Sequence, residues 1–321
     1  MKSNCPLATF QLSKTKLSAT RISATLLLAL LFGGCQPDGV GSSSDLEQTS
    51  TGQNLISVTD YTGAKLVFAE PVKSIVALSP HIVENIYAVG ASDRLLGVVE
   101  YSNFPPQAKE LPIVASFEKT NIERIVELNP DLIMAWESGN SHSAISRLKE
   151  LGFKVYMDRP DSLADVAKSI RDIGLLTGLN DNAETVASNY ESALEEFVQA
   201  NQGKSEVSVF YQVWNSPLQT ISGNHIISAS IEICGGSNIY ADAFPIESVL
   251  ERDPQVIIAS GMGDDRPQWL DEWSQWPNLS AVSGNNVFAV NPDHIQRHTT
   301  RLLLGIEAIC NRLDVVRGKS S

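Results

Sequence analysis

At 321 residues the chain is longer than one small hydrophobic core organises and suits two α/β lobes. Its 43% hydrophobic and 19% charged content is that of a folded globular protein and excludes global disorder. A formal net charge of −13 excludes nucleic acid as a partner, because nothing in such a chain would neutralise a phosphate backbone.

Residues 1–34 read as a targeting segment. Lys2, Lys14, Lys16 and Arg21 supply positive charge with no acidic residue among them, and the apolar run 22–32 is too short to span a bilayer comfortably. The run ends in Leu31-Phe32-Gly33-Gly34-Cys35. This resembles a bacterial lipobox, whose cysteine is lipidated and becomes the mature N-terminus; an ordinary signal peptide cleaved nearby is the alternative. Residues 35–54, rich in Gly, Ser, Asp and Thr, then form a flexible tether. The protein is therefore expected in the periplasm or at the cell surface, held to a membrane by lipid on Cys35. Cys5 leaves with the signal, so Cys234 and Cys310 remain as one disulfide or as two buried thiols.

Beyond residue 54, short apolar runs alternate with helical patterns. Strands are predicted at 74–78, 95–100, 132–136 and 154–157, and helices near 81–89, 122–128, 143–151 and 163–177. A long amphipathic stretch follows at 183–200, with Val186, Tyr190, Leu194 and Phe197 at helical spacing. Strands at 206–213, 256–259 and 287–290 and a terminal helix over 292–313 complete the set. The βα alternation predicts an α/β fold with mostly parallel sheets in two lobes, 55–179 and 203–321, joined by one long helix at 180–202.

An internal repeat supports this division. Ile122 to Ala135 aligns with Ile246 to Ala259, with six of fourteen pairs identical. Each copy is a short helix, an Asn/Asp-Pro break and a buried strand. Shared Glu123/Glu247, Glu127/Glu251 and Pro130/Pro254 make chance an unattractive explanation.

Several segments carry a specific resemblance: Ala77-Leu78-Ser79-Pro80 with Glu84, Tyr101-Ser102-Asn103-Phe104-Pro105-Pro106, Asn121 to Ile125, Pro130 to Ile133, Ala135-Trp136, Ile233-Cys234-Gly235-Gly236, and Asp293 to Arg297. Together they resemble the periplasmic binding proteins that serve metal-chelate ABC importers, and among those the cobalamin (vitamin B12) binders. The resemblance runs from about Ser74 to Leu313 and implies two lobes on a rigid helix, a Cys234–Cys310 disulfide and a homodimeric permease as partner. The expected ligand is a corrinoid, transported rather than held as a cofactor.

A corrin is a large, flat, mostly apolar disc fringed with amides. It needs aromatic walls and a few polar groups at the rim, placed beyond the carboxyl ends of strands. Tyr101 and Trp136 close predicted strands, Phe117 follows Pro112, and Trp214 follows the first strand of the second lobe. Taken singly, each aromatic is more often core or surface than ligand wall. Asp293 and Arg297, at i, i+4 on the opening of the terminal helix, form the expected polar counterpart, which the resemblance assigns to ligand amides. A local helix salt bridge is the compatible alternative. The resemblance also implies docking on the permease through Glu123 and Glu247, one acid per lobe; N-terminal capping of two similar helices is the alternative.

Two departures widen the ligand question: Phe117 stands where the family often has a larger aromatic, and the connection 238–245 lacks a tryptophan. A ferric-siderophore or haem binder on the same fold is the main alternative. His294 and His298 are spaced like metal ligands but lack a third partner at recognisable spacing, so no metal is expected. His81, at the first strand–helix junction, either approaches ligand or caps structure. No G-x-S-x-G or H-E-x-x-H occurs, and no enzyme activity is expected. An enzyme reading would require a desolvated carboxylate beside a histidine in the cleft.

Overall fold

The computed structural model describes residues 55–239, 246–261 and 266–319. The targeting segment, the tether and Cys35, together with residues 240–245 of the short connection, lie outside the described residues.

A hairpin, β1 (Ile56–Thr59) and β2 (Lys65–Phe68), opens the body. The first α/β unit follows: β3 (Ile75–Ala77), α1 (Pro80–Val89), β4 (Leu95–Val99), β5 (Ile113–Ala115), α2 (Ile122–Leu128), β6 (Leu132–Trp136), α3 (His142–Glu150), β7 (Val155–Asp158) and α4 (Leu163–Thr177). Its parallel sheet has the order β5-β4-β3-β6-β7. The chain then enters α5 (Asn180–Asn201).

The second unit contains β8 (Val207–Gln212), the small hairpin β9 (Trp214–Asn215) and β10 (Leu218–Gln219), α6 (Ile226–Ile233), β11 (Gly236–Asn238), α7 (Ile246–Arg252) and β12 (Val256–Ala259). α8 (Ser280–Ser283), β13 (Val287–Ala289), α9 (Pro292–Ile295) and α10 (Leu302–Lys319) complete it. Its parallel sheet has the order β11-β8-β12-β13.

Local chemistry explains the boundaries. Pro80 sits in the first turn of α1, where its missing N–H costs nothing, and Gly90 ends the helix at φ 88°. Ser162 and Asp165 form a reciprocal capping box at the start of α4. The central strands are buried on both faces, so their side chains divide with period two. Ile75, Ala77 and Met134 face the main core, whereas Val76, Ile133 and Ala135 face a satellite cluster. Likewise Val209, Tyr211 and Ile258 face the main core, while Phe210, Ile257 and Ala259 face a third cluster. The main core runs without interruption from Ile75 through Tyr190 of α5 to Leu313, so both sheets pack into one apolar body.

Two expectations require correction. The terminal helix does not run through 292–313: α9 ends at Ile295 and α10 starts at Leu302. Thr299 lies in the break, its hydroxyl accepting from Arg301 N at 3.2 Å, the kind of local bond that competes with helix. The two pieces also pack closely, for a Cβ on Gly305 would lie 2.5 Å from the His294 carbonyl oxygen. The second correction is an omission: β1, β2, β5, β11 and the β9–β10 hairpin carry too few residues for periodicity to reveal them.

The disulfide between Cys234 and Cys310 is formed, tying the end of α6 to α10. Among the described residues, no helix is long and apolar enough to cross a membrane.

Candidate functional site

In the five-stranded sheet the chain starts at β3, builds outward through β4 and β5, then crosses back to β6. The connections leaving β3 and β6 therefore part in opposite directions, opening a crevice at the carboxyl ends of these strands. A cavity of about 160 Å³ lies there, lined by Leu78, Val99, Tyr101, Phe117, Trp136 and Asn140 among others. Three of the four expected aromatics thus meet around one space. Tyr101 and Phe117 are 76% and 92% exposed, so both rings are open to solvent at this cavity.

Trp136 is held from several sides. The Asn140 carboxamide accepts from Trp136 N at 2.7 Å and donates to Leu78 O at 2.9 Å, tying the end of β6 to the end of β3. Gly139 lies against the indole, where any Cβ would fall 1.9 Å from Cε3. The His81 ring packs edge-on at 5.7 Å, and the His298 ring stands at 6.1 Å.

His81 is itself fixed: Nε2 meets the Asp158 carboxylate at 3.0 Å and Nδ1 meets the Ser79 hydroxyl at 2.7 Å. Asp158 also accepts from Ser169 Oγ at 2.6 Å. A desolvated carboxylate therefore does stand beside a histidine. Both ring nitrogens are occupied and all four residues are buried, with Ser169 Oγ also meeting the Tyr61 hydroxyl at 3.1 Å, so the set orients the ring against Trp136. His298, whose ring stands near both His81 and Trp136, is pushed down to about 3, first by burial and then by His81 and His225. Its Nδ1 is buried without a partner among the described residues. His294 and His298 join no cluster of three metal-ligating side chains among the described residues.

Asp293 and Arg297 remain paired at 2.8 Å despite the broken helix. The pair extends well beyond a local salt bridge. Arg297 Nη1 donates to Glu84 Oε1 at 2.6 Å and to Asn103 Oδ1 at 2.7 Å, and Nη2 donates to Tyr101 O at 3.1 Å. Asn103 Nδ2 in turn donates to Asp293 Oδ2 at 3.4 Å. The residues following the second sheet thus grip the turn that carries Tyr101. Sequence reasoning left Asn103 and Glu84 without roles and passed over Arg301, Gly139 and Asn140. Only the fourfold spacing of Arg297 and Arg301 offered a signal.

Trp214 stands apart from this cavity, on β9 just beyond the carboxyl end of β8, with Nε1 donating to Ser216 O at 3.1 Å. Glu123 and Glu247 each occupy the second position of a seven-residue helix, both exposed. The cap of α2 is Asn121, whose side chain accepts from Arg124 N, so Glu123 is not that helix's capping residue.

The profile of the family described as periplasmic binding protein matches residues 75–294. The chain belongs to the periplasmic binding protein family. Its members carry a substrate to an importer, and this chain is a binding protein of that kind rather than an enzyme. It is 34% identical over 253 residues to a vitamin B12-binding protein of Vibrio cholerae, covering 77% of this chain and 91% of the relative. A vitamin B12-binding protein of Pectobacterium carotovorum is 33% identical, with 77% and 90% covered. The crystal structure of the periplasmic vitamin B12-binding protein BtuF of Vibrio cholerae superposes with a TM-score of 0.70 at 33% identity, covering 77% of this chain and 98% of that one. The periplasmic haem-binding protein HutB of Vibrio cholerae, at 18% identity and a TM-score of 0.65 over 75% of this chain and 99% of that one, shares the fold alone.

Proposed function

We propose that this protein captures a corrinoid of the cobalamin class in the crevice at the carboxyl ends of its strands. It delivers that ligand to an ABC importer whose permease is a homodimer. One arrangement carries the reading: Tyr101, Phe117 and Trp136 line a single cavity at the strand-order switch, with Asp293 and Arg297 bonded to the Tyr101–Asn103 turn. A flat apolar disc gains contact area from such rings, and its amides gain partners at the polar rim. Arg297 is 12% exposed and already meets four acceptors, whereas Asp293 keeps a freer edge at 25%. Asp293 is therefore the member of the pair that meets ligand amides, and Arg297 orients it. Trp214 supplies the second lobe's wall from the far side.

In this reading residues 55–179 and 203–321 act as the two lobes and the helix at 180–202 holds them at fixed spacing. Glu123 and Glu247 then face matched sites on the two permease subunits, and lipid on Cys35 keeps the body near its membrane. Isothermal titration with cyanocobalamin and cobinamide is the test. Micromolar or tighter binding of either supports the assignment; no binding of both, with tight binding of haem or a ferric siderophore, overturns it.

A further inference from the structure

Tyr101 adopts φ 64°, a left-handed conformation that a bulky residue holds only when its surroundings impose it. Its ring is largely exposed, so the restraint comes through the backbone and the residues beside it. Within the turn, Ser102 N and Oγ donate to Val99 O at 3.3 and 2.7 Å. Among the described residues, the side-chain bonds that reach the turn from farther along the chain come from residues 293–301, with Glu84 of α1 behind them. Arg297 caps the Tyr101 carbonyl and the Asn103 carboxamide. The Arg301 guanidinium lies over the Phe104 ring at 4.0 Å. Glu84 Oε1 joins the two arginines, at 2.6 Å from Arg297 and 3.2 Å from Arg301. The Glu84 side chain is 3% exposed, and the arginines 12% and 15%, so solvent screens these charges little.

We infer that Glu84 and Arg301 are positioning residues for ligand recognition, acting without touching the ligand. Arg301 clamps Phe104 from above, Glu84 fixes both guanidinium planes, and together they hold the Tyr101 ring where a flat ligand meets it. One lobe's aromatic wall is thus set by two arginines of the other, which a carboxylate of its own lobe holds in place. A planar guanidinium suits both tasks at once, since its edge donates to the carboxylate while its face covers the ring. This rests on the proposal that Tyr101 meets the corrinoid.

A double-mutant cycle on the whole protein, read by cyanocobalamin titration, tests it. Arg301→Ala should weaken binding about tenfold when Tyr101 is present and less than about twofold in a Tyr101→Ala background, because the effect passes through that ring. Arg301→Lys, which keeps the charge but lacks the planar face, should recover only part of the loss. Equal losses in both backgrounds would mean that Arg301 reads the ligand directly and overturn the inference, as would no loss in either. Should Arg301→Ala fail to fold, Phe104→Leu removes the ring beneath the guanidinium and should show the same dependence on Tyr101.

Hydrogen exchange supplies a readout that needs no ligand. Amides 101–104 should exchange faster in Arg301→Ala while the central strands keep their protection. Unchanged exchange there sinks the positioning role even if the protein binds cobalamin. Faster exchange in a protein that binds no corrinoid leaves the clamp in place and overturns only the ligand assignment.

Discussion

Asn129 and Asp253 hold the same left-handed conformation, φ 44° and 45°, at the same place in two copies of one structural unit. Each ends a seven-residue helix, α2 or α7, and each precedes a proline and a buried strand. The likeness continues in the hydrogen bonds. Asp131 accepts from Ser74 N and its own N–H meets Ser74 Oγ, while Gln255 accepts from Ser208 N and its N–H meets Ser208 Oγ. The repeat read from the sequence is thus a repeat in structure, down to how one serine pins the end of a neighbouring strand.

The left-handed residues should respond differently to substitution. Asn129→Val and Asp253→Val should each cost about 1–2 kcal/mol, since a β-branched side chain is strained there. Asn129→Gly should be neutral or stabilising. Asp253→Gly should still destabilise, because Asp253 accepts from both Ser280 N and Ser280 Oγ. Urea denaturation measures all four, and a costless Asn129→Val would contradict the argument.

Much of the fold was legible because its signals are local. The helices at 122–128 and 163–177 carry apolar periodicity bounded by Asn121 and Asn129 in one case and by the Ser162 capping box and Gly178 in the other. Tyr101, Trp136 and Trp214 were legible as candidates for a related reason: each stands at or just past the end of a predicted strand, whereas Phe117 follows β5, which periodicity did not reveal. What surrounds them was not. Trp136 depends on His81, whose partner Asp158 lies 77 residues away, and Arg297 meets Glu84 across 213 residues. No local pattern marks such pairs. The break in the terminal helix was hidden in the same way, since it depends on Thr299 and on Gly305 packing beneath the His294 carbonyl.

Replacing both Cys234 and Cys310 by alanine should lower stability by about 4 kcal/mol on the chain-entropy view of a cross-link spanning 76 residues. The urea midpoint should fall while cyanocobalamin affinity, extrapolated to folded protein, barely changes. A non-reduced mass showing two free thiols would remove the basis for this expectation.

Gly139→Ala should act as an indirect Trp136 mutation. The new methyl would overlap the indole, so the ring must shift or the turn must open. Corrinoid binding should weaken about tenfold, near the loss for Trp136→Ala, and the two changes together should cost no more than Trp136→Ala alone. Wild-type affinity in Gly139→Ala would show that the position of the indole does not matter to the ligand.

His298 predicts a pH dependence of stability. Burial holds its folded pKa at about 3, below the ordinary value near 6.5 expected in the unfolded chain. Between those values the unfolded state binds a proton that the folded state refuses, so stability is lost as pH falls below about 6.5. By pH 5 the loss amounts to about 2 kcal/mol from this group. His81 with its partner Asp158, and His225, are the titratable groups disposed around it. His298→Phe should therefore flatten the stability profile between pH 7 and pH 5 by about that amount. An unchanged slope in denaturation series at the two pH values would assign the dependence to other groups.

Charge reversal at the repeat tests docking. Glu123 and Glu247 are exposed at matched positions of α2 and α7, and among the described residues neither carboxylate makes an ion pair. α2 starts two residues beyond Thr120 in the cavity lining, so Glu123 lies near the cavity end of its sheet. Among the described residues neither acid has an ion-pair partner to lose, so Glu123→Arg or Glu247→Arg should change folding stability by no more than about 0.5 kcal/mol. Cyanocobalamin affinity should also stay near wild type. Uptake through the importer should fall sharply for each variant and further for the pair, because like charges facing each other across an interface are strongly disfavoured. Compensating Arg→Glu changes on the permease should restore it. If both reversals support normal uptake, the two acids serve only their helices, and the surface that meets the permease lies elsewhere on the protein.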